Sequence, residues 1–224
     1  MDGEGTIRTC SRTANPDLFR LAIGGYGPLG DMTQIVLRLQ RKQKVRRVVE
    51  IIDTETLQAC FEDRIQAGFL YGDFQFAIDP SSDDFLRRGV FSCYEPVPFS
   101  TPLTDGPAGF RTEEWQRLVL DAHTNKRRAF EMYSTRYLET SGQIYWADAQ
   151  LGSPYVDGYH ANIDLACGAC VPGSEMISEV YVPREQLADF MEAARSELLR
   201  PQANLIYGTI RLIERDDETF LAIS

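Results

Sequence analysis

Hydrophobic and polar positions along the chain switch period several times, and each switch predicts an element. Residues 32–39 alternate and residues 45–52 are rich in β-branched side chains, which predicts two strands separated by the polar turn Arg41-Lys42-Gln43-Lys44. Asp53-Thr54-Glu55-Thr56 supplies a helix start, and Leu57, Phe61 and Ile65 recur every four residues, so a helix is expected up to Gly68. Residues 69–78 and 89–94 read as strands flanking the turn-rich Asp79-Pro80-Ser81-Ser82-Asp83-Asp84, which has hairpin character. Residues 113–139 have helical composition, and residues 143–147 are extended. A strand at 176–182 follows. Pro183-Arg184-Glu185 then opens a helix with Leu187, Phe190, Met191, Ala194 and Leu198 on one face, and a strand at 205–213 repeats the strand, helix, strand order of residues 45–78. The pattern predicts an α+β fold in which an antiparallel sheet carries helices on one face.

The first forty residues read differently. A short strand at 6–12 leads to Asn15-Pro16, a cap and first-turn proline for a helix through Leu21, and the helix stops at glycine. In Gly24-Gly25-Tyr26-Gly27-Pro28-Leu29-Gly30 four residues lack a Cβ, so the backbone there turns tightly or lies against something flat. The proline-rich stretch 95–110 is an irregular excursion that divides the chain, and the domain boundary is expected near residue 40, giving 1–40 and 41–224.

Charge and composition narrow the function classes. With 23 basic against 33 acidic residues the net charge is −10, which disfavours nucleic acid and anionic membrane as partners. No run approaches the roughly 18–20 apolar residues of a membrane helix, and residues 1–5 lack the basic and apolar blocks of a signal peptide, so a cytoplasmic protein is expected. Five scattered cysteines are too few for a disulfide framework. Cys167-Gly168-Ala169-Cys170 with His160 invites a zinc or thiol-redox reading, yet a second ligand pair is missing, and no metal is expected. His123, ahead of Lys126-Arg127-Arg128, reads as a surface residue on a solvated helix face.

Three segments together resemble a known family. Asp17-Leu18-Phe19, the glycines at 24, 25, 27 and 30, and Thr33 with Leu37-Arg38-Leu39 match a phrase of the type D-L-F-x-x-x-x-G-G-x-G-x-x-G followed by T-x-x-x-L-R-L. That phrase resembles the close of the PCMH-type FAD-binding domain in the vanillyl-alcohol-oxidase-like family. Tyr71-Gly72-Asp73-Phe74-Gln75-Phe76, residues 175–184, Thr209-Ile210-Arg211-Leu212 and the acidic stretch 214–217 resemble strands of that family's substrate, or cap, domain.

The resemblance implies the last helix and strand of an FAD-binding domain followed by a substrate domain incomplete at its C-terminus. It also implies a missing N-terminal segment of the FAD domain that holds the pyrophosphate. On this reading Gly24, Gly25, Gly27, Gly30, Asp31 and Met32 lie at the FAD. Ile177, Glu179 and Tyr181 share a strand face toward a small-molecule substrate, with Glu179 anchoring a hydroxyl group. Arg211, a cation between Ile210 and Leu212, needs an anion if buried, and the resemblance gives it a role in orienting substrate or steadying reduced flavin; a salt bridge to Glu179 or a surface strand position is the alternative. The implied activity is FAD-dependent oxidation of a hydroxyl-bearing small molecule by hydride transfer to flavin, the isolated chain being inactive. The rival is a catalytically inert structural or binding fragment unable to hold FAD alone, and a zinc module on His160, Cys167 and Cys170 is the weakest reading.

Overall fold

The structure is a computed structural model that describes residues 1–25, 27–105, 109–151, 158–200 and 204–219. The chain divides into two compact units, residues 1–41 with 213–224 and residues 42–212.

Among its described residues the first unit contains one helix, α1 (Pro16–Ala22), opened by Asn15 in the left-handed region and by Pro16 at the first position, where a missing N–H costs nothing. Residues 6–12 and 32–39, expected as strands, belong to no ladder. Ile35, Val36, Leu37 and Leu39 are exposed, so their alternating pattern has no sheet to pack on within this unit. Its backbone is tied instead by Met1, whose ammonium donates to the Asp31 carbonyl at 2.7 Å while the Asp31 amide donates back at 2.9 Å. Arg12 pairs with Glu218.

The second unit is an α+β fold built on a five-stranded antiparallel sheet. Its elements in chain order are β1 (Lys44–Asp53), α2 (Leu57–Gln66), β2 (Tyr71–Phe76), β3 (Arg88–Val97), α3 (Thr112–Thr124), α4 (Lys126–Glu139), β4 (Ile144–Trp146), α5 (Tyr159–Cys167), α6 (Leu187–Leu198) and β5 (Thr209–Ile210). The strand order is β4-β1-β3-β2-β5. Register is fixed by Val48 opposite Cys93, Phe74 opposite Phe91 and Phe74 opposite Ile210, each alignment putting apolar residues of neighbouring strands on one face.

That face is covered by α2. Leu57 and Phe61, one turn apart, point into it, and the Phe61 and Phe91 rings meet edge to face at 4.9 Å. Gly72 lets the helix come this close, because a Cβ there would stand 2.8 Å from Cys93 Sγ and 3.2 Å from the Phe61 ring. The opposite face, bearing Arg47 and Tyr94, lies under α4, whose Tyr137 ring is 5.2 Å from the Arg47 guanidinium. Helices therefore flank both faces and not one. The reason lies in β2 and β3, where Asp73 and Gln75 alternate with Phe74 and Phe76, and Ser92 and Tyr94 with Phe91 and Cys93; both sets are wholly or partly buried.

Three further expectations change. Residues 95–110 do not divide the chain: β3 runs on to Val97, and the Thr104 amide donates to Ile144 of β4 at 2.9 Å. The helical stretch 113–139 is two helices, broken at Asn125, whose side chain caps α4 by accepting from the Arg128 amide. The buried Asp121 carboxylate fastens the joint, held by Arg117 at 2.9 Å and Arg128 at 3.3 Å. The repeated strand, helix, strand unit does not form either, since residues 176–182 join no ladder and β5 is two residues long.

Candidate functional site

The face of the sheet under α4 concentrates the polar chemistry of the second unit. Strand alternation and register put Tyr145 of β4, Arg47 of β1, Ser92 and Tyr94 of β3, Tyr71 and Asp73 of β2 and Thr209 of β5 on this one face. Tyr133 and Tyr137 of α4, one turn apart and stacked at 4.2 Å, cover it.

Arg47 is its buried centre. Its Nε donates to the Tyr145 hydroxyl at 3.0 Å and its Nη1 to Thr140 Oγ1 at 2.8 Å. The guanidinium lies 5.1 to 5.7 Å from the rings of Tyr145, Tyr137 and Tyr94, whose negative π faces favour a cation shielded from water. Ser92 Oγ and the Tyr94 hydroxyl are 3.1 Å apart.

Asp73 is its acidic member. Its carboxyl accepts no hydrogen bond from any described residue, and no cation stands within 4.0 Å of it. Burial pushes its pKa up to about 6, against the opposing fields of Arg211 and Arg47. Burial also raises the phenol pKa values of Tyr94, Tyr133, Tyr145 and Tyr207, so these hydroxyls stay protonated at neutral pH. A carboxylate that changes charge near neutral pH and lacks a donor of its own is suited to taking a proton from a bound hydroxyl group.

The residues singled out from sequence fall in three places. Arg211 is exposed and follows Ile210, the last residue of β5, and its field acts on Asp73. No ion pair to Glu179 forms. Ile177, Glu179 and Tyr181 lie on backbone outside the sheet, Ile177 being 93% exposed, and the Tyr181 hydroxyl donates to Glu179 at 3.1 Å. The strand face on which they were expected is absent, because residues 176–182 have no partner strand among the described residues.

The glycine bend lies in the first unit. Gly24 and Gly27 have positive φ and open space where a Cβ would stand, so their peptide faces are uncovered. Gly25 and Gly30 have local structural reasons: a Cβ at Gly25 would stand 2.5 Å from the Leu21 carbonyl, and one at Gly30 would collide with the Met1 carbonyl. Asp31 and Met32 are exposed. The bend thus has exposed backbone at Gly24 and Gly27, and a packing role at the other two glycines.

Both histidines of the chain converge on one carboxylate. His123 Nε2 is 3.4 Å from Glu175 Oε1 and His160 Nδ1 is 3.0 Å from Oε2. His123 is therefore a largely buried residue and not a surface one, and burial lowers its pKa. Cys167 and Cys170 are free and exposed, and no group of three or more His, Cys, Asp or Glu placed to hold a metal occurs among the described residues. No helix among them is long and apolar enough to cross a membrane.

Asp73 is not singled out by the sequence pattern. The signal for it is a lone acid in a strand where Phe74 and Phe76 mark one face and Tyr71, paired with the buried Tyr94 across β2 and β3, marks the other. No protein-family model and no curated protein matches the chain.

Proposed function

We propose that this chain is part of an FAD-dependent oxidoreductase of the vanillyl-alcohol-oxidase-like type, and that the Asp73 face of its second unit is the substrate side. The observation that carries the reading is Asp73: a carboxyl raised to about 6, without a hydrogen-bond donor, on a sheet face lined by phenols and flanked by two guanidinium groups. Oxidising an alcohol removes a hydroxyl proton and a hydride, and Asp73 is the group equipped to take the proton. Arg47 and Arg211 favour its ionised form, and the stacked rings of Tyr133 and Tyr137 keep water from the covered side. A bound flavin would supply the two-electron acceptor.

A second reading has its own support. Ile35, Val36, Leu37 and Leu39, and Met176 and Ile177, are exposed, as in a folded piece whose apolar segments await other parts of a longer protein and which retains no FAD alone. Titration of the full chain with FAD separates the two. The oxidoreductase reading expects a flavin absorbance band that co-elutes with the protein and a rise in melting temperature that grows with FAD concentration. Flavin that separates completely from the protein, with no thermal shift at saturating concentration, favours the inert fragment.

A further inference from the structure

We infer that Cys167 and Cys170 form a thiol–disulfide couple at the end of α5, exchanging with small disulfides of the glutathione class to close an internal Cys167–Cys170 bond. The inference is independent of the oxidoreductase reading, since none of its residues belongs to the Asp73 face or to the glycine bend.

The backbone brings the two thiols together. Helix α5 ends at Cys167, Gly168 turns into the left-handed region at φ 64°, and the Ala169 amide donates back to the Asp164 carbonyl at 2.9 Å. A helix closed in this way reverses the chain. Three contacts show that the reversed segment then retraces α5 towards its start. The Gly173 amide donates to Asp164 Oδ1 at 3.0 Å, while Glu175 Oε2 lies 3.0 Å from His160 Nδ1 and accepts from the Tyr159 hydroxyl at 3.2 Å. Asp164 stands one turn before Cys167, on the same side of the helix, and it is bonded by Ala169 and Gly173, which bracket Cys170. Cys170 is thereby pinned beside the turn that carries Cys167.

Exposure separates this pair from the other thiols. Cys167 and Cys170 are exposed, Cys10 and Cys60 are half-buried, and Cys93 is buried with its thiol pushed up to about 12. The attacking species in disulfide exchange is an accessible thiolate, so Cys93 stays out of the reaction. The described residues offer no third ligand that would make the pair a metal site.

The entering disulfide balances the step. One protein thiolate attacks a sulfur of oxidised glutathione, forming a mixed disulfide and releasing one glutathione thiolate. The second cysteine attacks the protein sulfur of that bond, closing Cys167–Cys170 and releasing the other glutathione thiolate. Two electrons and two thiol protons leave the protein and are carried by two molecules of reduced glutathione. The new bond joins Cys170 to a helix end against which the Asp164 contacts already hold it.

The test uses the full chain, equilibrated with oxidised and reduced glutathione at several ratios and mildly alkaline pH, quenched with acid, unfolded, alkylated and weighed by mass spectrometry with peptide mapping. The oxidised chain is expected to be lighter by two hydrogens before alkylation, with Cys167 and Cys170 the two positions left unalkylated. Cys167→Ser and Cys170→Ser should each stop at a glutathione adduct on the remaining cysteine of the pair. The internal bond should form with an equilibrium constant on the order of ten-fold larger in the folded chain than in the same chain in urea, because the fold holds the partners in place beforehand. Glutathione adducts at both positions without an internal bond, a bond from either to Cys10, Cys60 or Cys93, an absence of any reaction, or an equal constant in urea overturns the inference.

Discussion

The two faces of the sheet share strands, register and hydrogen bonds, yet they are built for different ends. Under α2 the face is apolar: Phe74, Phe91, Leu57 and Phe61 are 3% exposed or less, with the buried Cys93 thiol, pushed up to about 12, behaving as one more small apolar group. Under α4 the same sheet buries or half-buries Arg47, Asp73, Ser92, Tyr94 and Tyr145. Arg47 meets its needs through Tyr145 and Thr140, whereas Asp73 is left without a donor. The contrast teaches that the α2 face is held by apolar packing alone, whereas the α4 face sets Arg47, Asp73 and phenols beside the buried Val45, Val49 and Val90.

The comparison is sharpened first by Phe91→Ala. Removing a ring that is 1% exposed and packed edge to face on Phe61 should cost about 3–5 kcal/mol by chemical denaturation. A loss below about 1 kcal/mol would show that the α2 face is not the main core.

Asp73→Asn should act in the opposite direction. The folded pKa of about 6 lies above the ordinary value of 3.8, so the folded state holds the proton more tightly than the unfolded one. Its contribution to stability is complete below about pH 4 and is lost as pH rises through about 6. Replacing the carboxyl with a neutral amide should therefore stabilise the protein by about 2–3 kcal/mol above pH 7 and change little below pH 4. Denaturation curves at the two pH values measure this.

Neighbouring arginines of β1 give the smallest and cleanest contrast. Arg47→Ala strands the partners of a buried cation and should cost about 2 kcal/mol. Arg46→Ala breaks an exposed 3.2 Å pair with Glu95 on the other face and should cost less than about 1 kcal/mol. Equal losses would mean that the α4 face buries nothing of consequence around Arg47.

The strands β1, β2 and β3 and the helices α2 and α6 were legible because each carries its own period and punctuation: Val48 and Val49 in a β-branched run, Leu57 and Phe61 one turn apart, Pro183 before a helix. Residues 32–39 and 176–182 carry equally good strand patterns and form no ladder, because alternation states what a segment can pair with and not whether a partner strand lies beside it. Helix α5 was missed, since Tyr159-His160-Ala161-Asn162 lacks an apolar stripe and the helix is bounded by Gly158 and Gly168 in the left-handed region. Arg211 was found from its setting between Ile210 and Leu212. Asp73 and Arg47 were not, because their importance comes from register: only the pairing of Arg47 with Tyr94 and of Asp73 with Ser92 gathers them under Tyr133 and Tyr137.

The most direct check is the titration of the Asp73 carboxyl itself, followed by carbon-detected NMR on the full chain with the Asp73→Asn variant assigning the resonance. A midpoint near 6 is expected from its burial on the phenol-lined face. A midpoint in the ordinary aspartate range around 4 would contradict the account, since a carboxyl ionised that readily is neither desolvated nor poised to exchange a proton with a bound hydroxyl group.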